Sequence, residues 1–340
     1  MVLLPVSCVL PLKNMSFRTE IAIPPYDFGI SHQDSIFSIG SCFAEAIGKR
    51  LQDNKFQTLS NPFGTIFNPI SIFRLLKIAL QIEQIDENLY IKNHEQVAYH
   101  YDFHSSWRDW EVDWLKTKIT QKLSFISKFL EKSQFLLITF GTAWVYELKE
   151  TGRIVANCHK MPASLFCKRL LCVDEVLQDF EHLKAVLSEK KIILTVSPVR
   201  HLKDTLPLNA VSKSVLRLAC HYLQEKYANV YYFPAFELIN DDLRDYRFYA
   251  EDMLHINSQG EEYVWSKFTK ACLHAKSQEL IENWQKISAR LAHQFFNKQT
   301  PTYQEFLQNT LKDLEKIATD IDVSAEIAHI QQLLSDSKPK

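Results

Sequence analysis

The stretch Ser38-Ile39-Gly40-Ser41-Cys42-Phe43-Ala44-Glu45 decides the fold. A short β-rich run over 35–39 stops at a glycine, and apolar residues then return every fourth position at Phe43, Ile47 and Leu51. That spacing places them on one helical face. A strand therefore feeds a helix through a tight corner, and the corner carries a hydroxyl on Ser41 and a thiol on Cys42. In open α/β sheets ligands bind beyond the carboxyl ends of the strands, so this is where a reacting group belongs.

Outward from the corner, the pattern repeats. A second short strand over 56–59 is closed by Asn61-Pro62-Phe63-Gly64, and helical spacing resumes over 70–82. The section 88–110, with His94, His100 and His104, reads as strands or an ordered loop. A helix over 114–130 leads to the continuous apolar run FLLITF at 135–140, ending at Gly141. Such runs mark strands covered on both faces. Segments 145–148 and 153–156 flank Lys149-Glu150-Thr151-Gly152 as a hairpin. Then follow a helix over 173–187, a strand over 192–196 ending at Ser197-Pro198-Val199-Arg200-His201, a helix over 212–227 and a strand over 230–233. Strands alternating with helices predict an α/β fold, a doubly wound parallel sheet with right-handed crossovers. From Ser258 only helical periods remain, over 259–276, 278–298, 303–319 and 325–334.

The chain of 340 residues is 46% hydrophobic, enough for a full-sized core. Its 39 basic and 40 acidic residues leave a formal charge of −1, so nothing global draws it to nucleic acid or an anionic membrane. Seven cysteines, an odd number without a C-x-x-C pair, fit reduced thiols in a cytoplasm. Residues 1–12 are apolar but lack a basic leading region and are too short to span a bilayer. Residues 1–14 read as a leader or a mis-assigned start, with translation expected from Met15 and export the lesser expectation. The main α/β domain is expected over 15–276, a C-terminal helical extension over 277–334, packing on the domain or making an oligomer contact, and a tail over 335–340.

The first four sheet strands each end in a Gly-containing or polar corner: Gly40-Ser41-Cys42, Asn61 to Thr65, Gly141-Thr142-Ala143-Trp144, and Ser197 to His201. After the last strand comes Asp252-Met253-Leu254-His255. An Asp three residues before a His can fix the imidazole tautomer and stabilise the imidazolium, leaving the other ring nitrogen to deprotonate a nucleophile.

The segment IGSCFAEAIGKRL resembles the signature of the GSCFA family, a group placed with the SGNH (GDSL-like) hydrolases. FRTEI, NPFGTIFNP, FHSSW, FGTAWVYE, NCHKMPAS, TVSPVRHLKD and RDYRFYAEDMLH are similar to the family as well. The resemblance implies a three-layer α/β/α SGNH-hydrolase-like domain and hydrolysis of an ester, or acyl transfer, as the default chemistry. It sets Cys42 where the SGNH nucleophile stands, Gly64 at the glycine whose N–H serves the oxyanion hole, and Asp252 and His255 at the base pair. Ala143 falls where the oxyanion Asn stands, so backbone N–H groups of Cys42 and Gly64, with Thr142 beside Gly141, are expected to carry that task.

Alternatives stay open at the corner: Ser41 is either the nucleophile, or the cap of the following helix or a helper of the oxyanion site. At a helix N-terminus the Cys42 thiol is expected to be shifted toward thiolate. His104 and His159 are further pocket candidates, and Arg200-His201 could hold a carboxylate or phosphate through the Arg fork. Trp107, Trp110 and Trp114, at spacings of three and four, read as core. His100, His104, Cys158 and His159 are metal-ligand types without a closed four-ligand spacing, so no metal or cofactor is expected. The expected partner is a small-molecule or carbohydrate ester. The competing expectation, from another class, is an inactive module that binds a ligand in the same pocket.

Overall fold

The structure, a computed structural model, describes residues 18–293, 295 and 300–336. The expected leader at 1–14 and residues 337–340 of the expected tail lie outside the described residues. In chain order the strands are β1 (Ser35–Gly40), β2 (Gln57–Ser60), β3 (Tyr90–Lys92), β4 (Ala98–His100), β5 (Phe135–Phe140), β6 (Trp144–Leu148), β7 (Ile154–Val155), β8 (Phe166–Leu170), β9 (Lys191–Val196) and β10 (Val230–Tyr232). The helices are α1 (Cys42–Asp53), α2 (Pro69–Ala79), α3 (Val112–Lys132), α4 (Val173–Lys184), α5 (Leu206–Lys226), the short α6 (Ala235–Glu237), α7 (Ser258–Cys272), α8 (Ala275–Leu291), α9 (Pro301–Ile317) and α10 (Ser324–Asp336).

Five strands form one parallel sheet in the order β10-β9-β5-β1-β2. All six residues of β5, the central strand, are buried, which is why its sequence is continuously apolar rather than alternating. One face sets Phe37, Leu136, Ile138 and Leu194 against Phe73, Leu76 and Leu216 of α2 and α5. The other sets Ile36, Leu137 and Ile193 against Phe43, Ile47 and Phe268 of α1 and α7. Each such side chain stabilises the fold by roughly 1.5–3 kcal/mol. By order of appearance the sheet reads second, first, third, fourth, fifth, so its direction of growth reverses between β1 and β5. In a doubly wound sheet the crevice at that reversal is the ligand site.

Three departures from the sequence reading have physical causes. The helix expected to run through 276 breaks at Leu273-His274, because the chain there pairs with Ile30: the His274 N–H donates to the Ile30 carbonyl at 3.0 Å, and the His274 ring accepts from the Lys276 N–H to cap α8. Helix α5 begins at Leu206, six residues early, with Pro in its first turn; Leu206, Leu208 and Val211 are exposed, so no buried face announces that turn. Strand β8 was not expected; it pairs antiparallel with β6, outside the central sheet. Section 88–110 contains the β3–β4 hairpin.

Helices α8 to α10 bury Trp284, Leu307, Leu314 and Ile330 in a separate cluster. They are anchored to the sheet domain by the Trp284 indole N–H donating to the Asp53 carbonyl at 2.7 Å and by a 2.6 Å Lys55–Glu326 ion pair. Among the described residues no helix is long and apolar enough to cross a membrane.

Candidate functional site

At the end of β1 the chain turns through Gly40 at φ +143°, where an added Cβ would stand 2.2 Å from the Thr139 carbonyl oxygen. Only glycine fits so close to the neighbouring strand in that conformation. The Ser41 N–H donates to the Thr139 carbonyl at 3.1 Å, and its Oγ accepts from the Phe43 N–H at 3.3 Å. Ser41 is 1% exposed and caps α1. Cys42, the first residue of α1, instead faces a cavity of about 910 Å³.

Burial pushes the Cys42 thiol up from its ordinary value; its own N–H, that of Phe43 and the Lys213 ammonium oppose the shift without reversing it. The expected displacement toward thiolate is therefore not what this corner produces. Desolvation of the sulfur outweighs one helix turn of favourable dipole.

His255 lines the same cavity. The Asp252 carboxylate accepts from the Leu254 N–H at 2.9 Å and the His255 N–H at 3.0 Å, and its second oxygen meets His255 Nδ1 at 2.6 Å. These bonds, that of the His255 ring first, hold the Asp252 carboxyl down at about 2. An ionised carboxylate only accepts, so Nδ1 carries the proton and Nε2 of the neutral ring presents a lone pair. The pair sits on a loop tied to the fourth strand end by the Arg200 N–H, which donates to the Leu254 carbonyl at 3.3 Å.

The corner after β5 has its polar groups tied inward. The Gly141 and Thr142 N–H groups both donate to the Phe67 carbonyl, at 2.8 and 3.1 Å. The Ala143 N–H donates to Ser212 Oγ at 2.7 Å, and the Thr142 hydroxyl lies 3.0 Å from the same oxygen while accepting from the Trp144 N–H. Lys213 Nζ donates to the Gly141 carbonyl at 2.6 Å and the Ser197 carbonyl at 2.8 Å. This lysine is 2% exposed, and burial pushes it down to about 7, with Cys42 acting the other way.

Gly64 does not offer its N–H to the cavity: it donates to the Asn61 carbonyl at 2.8 Å. At φ +80° it makes room for His104, whose ring would lie 2.6 Å from an added Cβ. The neighbouring Thr65 lines the cavity, and its N–H has no partner among the described residues. His104 Nδ1 accepts from the Ser106 N–H at 3.2 Å, which leaves the proton of the neutral ring on Nε2. Burial lowers the His104 pKa and so favours that neutral form. The strand end before it is held by Asp102, buried between Arg74 and Arg153 at 3.0 Å each. His104 thus adds a side-chain donor to the cavity wall where Ala143, fully buried, adds none.

His159 stands outside the cavity wall, stacked on Tyr99 with centroids 4.5 Å apart and bonded through Nε2 to the His100 carbonyl at 2.9 Å. Burial pushes it down to about 4. Its neighbours Asn157 and Cys158 line the cavity instead. His201 lines it edge-on to Phe67, centroids 5.6 Å apart, and is also pushed down to about 4, by burial first and then by the Lys213 charge. The Arg200 guanidinium lies 4.0 Å from the Tyr249 ring centroid. Of the three tryptophans read as core only Trp107 is buried; Trp110 and Trp114 are exposed. Ser212 and Lys213 escaped the sequence reading as site residues, since a Ser-Lys pair inside a helical period carries no spacing signal of its own; Thr65 entered it only as the end of the second corner. Among the described residues no group of three or more His, Cys, Asp or Glu side chains could hold a metal ion.

Fold and site together define a doubly wound α/β protein in which a thiol and the histidine of an Asp-His pair line one cavity at the reversal of the sheet. Residues 35–268 match the GSCFA family, and residues 284–336 match the GSCFA domain protein, C-terminal domain. The first match spans more than half of the chain: it belongs to the GSCFA family. No curated protein matches the chain.

Proposed function

We propose that this GSCFA protein is an SGNH-like hydrolase or acyltransferase acting on an O-acyl ester, with Cys42 as nucleophile, His255 as general base and Asp252 as orienting group. The observation that carries the reading is the 2.6 Å His255–Asp252 bond on a loop whose imidazole shares a cavity with Cys42. The strand order and the corner at the reversal of the sheet support the SGNH placement.

His255 Nε2 takes the Cys42 proton as Sγ bonds to the ester carbonyl carbon. Because the thiol is held up by burial, activation falls at the moment of attack, by the base, rather than through a standing thiolate. The carbonyl oxygen gains negative charge facing the Cys42 and Thr65 N–H groups and His104 Nε2–H, which replace the Asn donor missing at Ala143. As the tetrahedral carbon collapses, its bond to the alcohol oxygen breaks and the His255 imidazolium returns the proton to that oxygen. Water, deprotonated by the same imidazole, then releases the acyl group as the acid and restores the thiol; a second alcohol in its place gives transfer.

Hydrolysis of short-chain aryl esters tests this in wild type, Cys42→Ala, His255→Ala and Ser41→Ala. The first two variants are expected to lose at least about 100-fold in kcat/KM. Ser41→Ala is expected to keep turnover while losing about 1 kcal/mol of stability as a helix cap. Equal rates in all four proteins would overturn the catalytic reading and leave a cavity that binds without turnover.

A further inference from the structure

The cavity that holds Cys42 and His255 has an unbalanced charge on its wall. Besides its histidines it presents the cations Lys168, Arg200 and Lys203 against a single carboxylate, Asp204. Lys168 is paired with that carboxylate. Among the described residues Arg200 and Lys203 make no ion pair with a protein carboxylate.

Arg200 is held in place without its charge being neutralised. Its guanidinium carbon lies 4.0 Å from the ring centroid of Tyr249 and 5.0 Å from that of Tyr246, cation–aromatic contacts that neutralise no charge and leave N–H donors of the five-donor fork to a ligand. Its backbone N–H is bonded to the Leu254 carbonyl, one residue before the base, so the cation and His255 are carried by strand ends that are tied together. Much of the remaining wall is apolar or aromatic, including Phe67, Tyr146 and Phe166. Low-dielectric walls concentrate the field of the two unpaired cations within the cavity. A planar guanidinium fork matches the paired oxygens of a carboxylate or a phosphate. At about 910 Å³ the space accommodates such a group together with a reacting ester.

We propose that the ligand of this cavity is anionic: an ester bearing a carboxylate or phosphate, whose charged end is bound by Arg200 and Lys203 while its acyl carbon faces Cys42. The ester part of the statement rests on the function proposed above; the anion subsite stands on the two unpaired cations alone.

The test uses the thiol as a reporter and needs no turnover. Alkylation of Cys42 by iodoacetate, an anion, and by iodoacetamide, its neutral counterpart, is followed at low ionic strength by mass spectrometry of the Cys42 peptide. The iodoacetate-to-iodoacetamide rate ratio is expected to exceed that of a free cysteine peptide by about tenfold and to fall toward the peptide value in Lys203→Glu and in Arg200→Gln. Lys203 is exposed and unpaired, so its charge reversal reports even where the Arg200 variant does not fold. Inorganic phosphate protecting Cys42 at lower concentration than succinate assigns a phosphate, and the reverse order a carboxylate. A wild-type ratio equal to that of the peptide, or one unchanged in both variants, overturns the subsite. A chain with no esterase activity can still pass this test, and an active esterase indifferent to charge fails it.

Discussion

The corner after β1 and the corner after β5 look alike in sequence and behave differently in the fold. Each is a strand end at a glycine, followed by a hydroxyl residue and a small or apolar side chain: Gly40-Ser41-Cys42 in one, Gly141-Thr142-Ala143 in the other. They sit side by side, since Gly40 pairs with Thr139 and an added Cβ on Gly141 would stand 3.2 Å from the Ser41 side chain. In the first, the hydroxyl is used in capping α1 and the next residue, Cys42, opens on the cavity. In the second, Phe67, Ser212 and Lys213 take up the N–H groups, hydroxyl and carbonyl of the corner. Two adjacent strand ends thus differ in role, one presenting a thiol to the cavity and the other being pinned so that the first has a fixed neighbour. What separates them is hydrogen bonding from α5, whose Ser212 and Lys213 bond to the second corner and not to the first.

The largest effect that can break this comparison is Gly40→Ala. The new Cβ would meet the Thr139 carbonyl oxygen at 2.2 Å with the backbone at φ +143°, and neither strand can yield without losing the β1–β5 register. A loss of about 4 kcal/mol or more is expected in urea unfolding; a loss no larger than that of an ordinary surface substitution would show that the first corner is not sterically fixed.

Lys213→Met attacks the second corner. It leaves the Gly141 and Ser197 carbonyls without their donor, at roughly 1–3 kcal/mol for each buried group. The loss should depend on pH. Folded Lys213 releases its proton near pH 7, whereas the unfolded chain retains it to about the ordinary 10.5. Across that window unfolding takes up a proton, so wild-type stability gains with rising pH a contribution that the methionine variant lacks. The stability gap between the two proteins should widen from pH 7 toward pH 10, and a gap that narrows or stays level would contradict a buried, depressed lysine.

The smallest effect sharpens the first corner. Burial holds the Cys42 thiol above its ordinary range, so the pH midpoint of its alkylation by iodoacetamide should lie above that of a free cysteine peptide. A midpoint below the peptide value would mean that the helix N-terminus and Lys213 outweigh desolvation, and that Cys42 rests as a thiolate.

The parallel sheet was legible because its strands are continuous apolar runs, as at 135–140, alternating with helical periods, and because Gly40 and Gly141 punctuate the strand ends. The Asp252-x-x-His255 pair was legible for a local reason: three residues of separation let one carboxylate reach both the imidazole and two backbone N–H groups of its own loop. Strand β8 and the break at Leu273-His274 were not, because each exists through pairing with a distant segment, β6 in one case and Ile30 in the other.

By itself the sequence determined the alternation of strands and helices, the corners and the Asp-His pair, all of which rest on periodicity and short-range spacing. Only the tertiary structure separated the two nucleophile-capable side chains of the first corner in space, by burying Ser41 as a cap and turning Cys42 to the cavity. It also brought Lys213 beneath the second corner, took the Gly64 N–H into a turn with Asn61, and set His104 against Gly64. Burial and the direction of an N–H depend on which segments meet in space, and no local pattern of residues encodes that meeting.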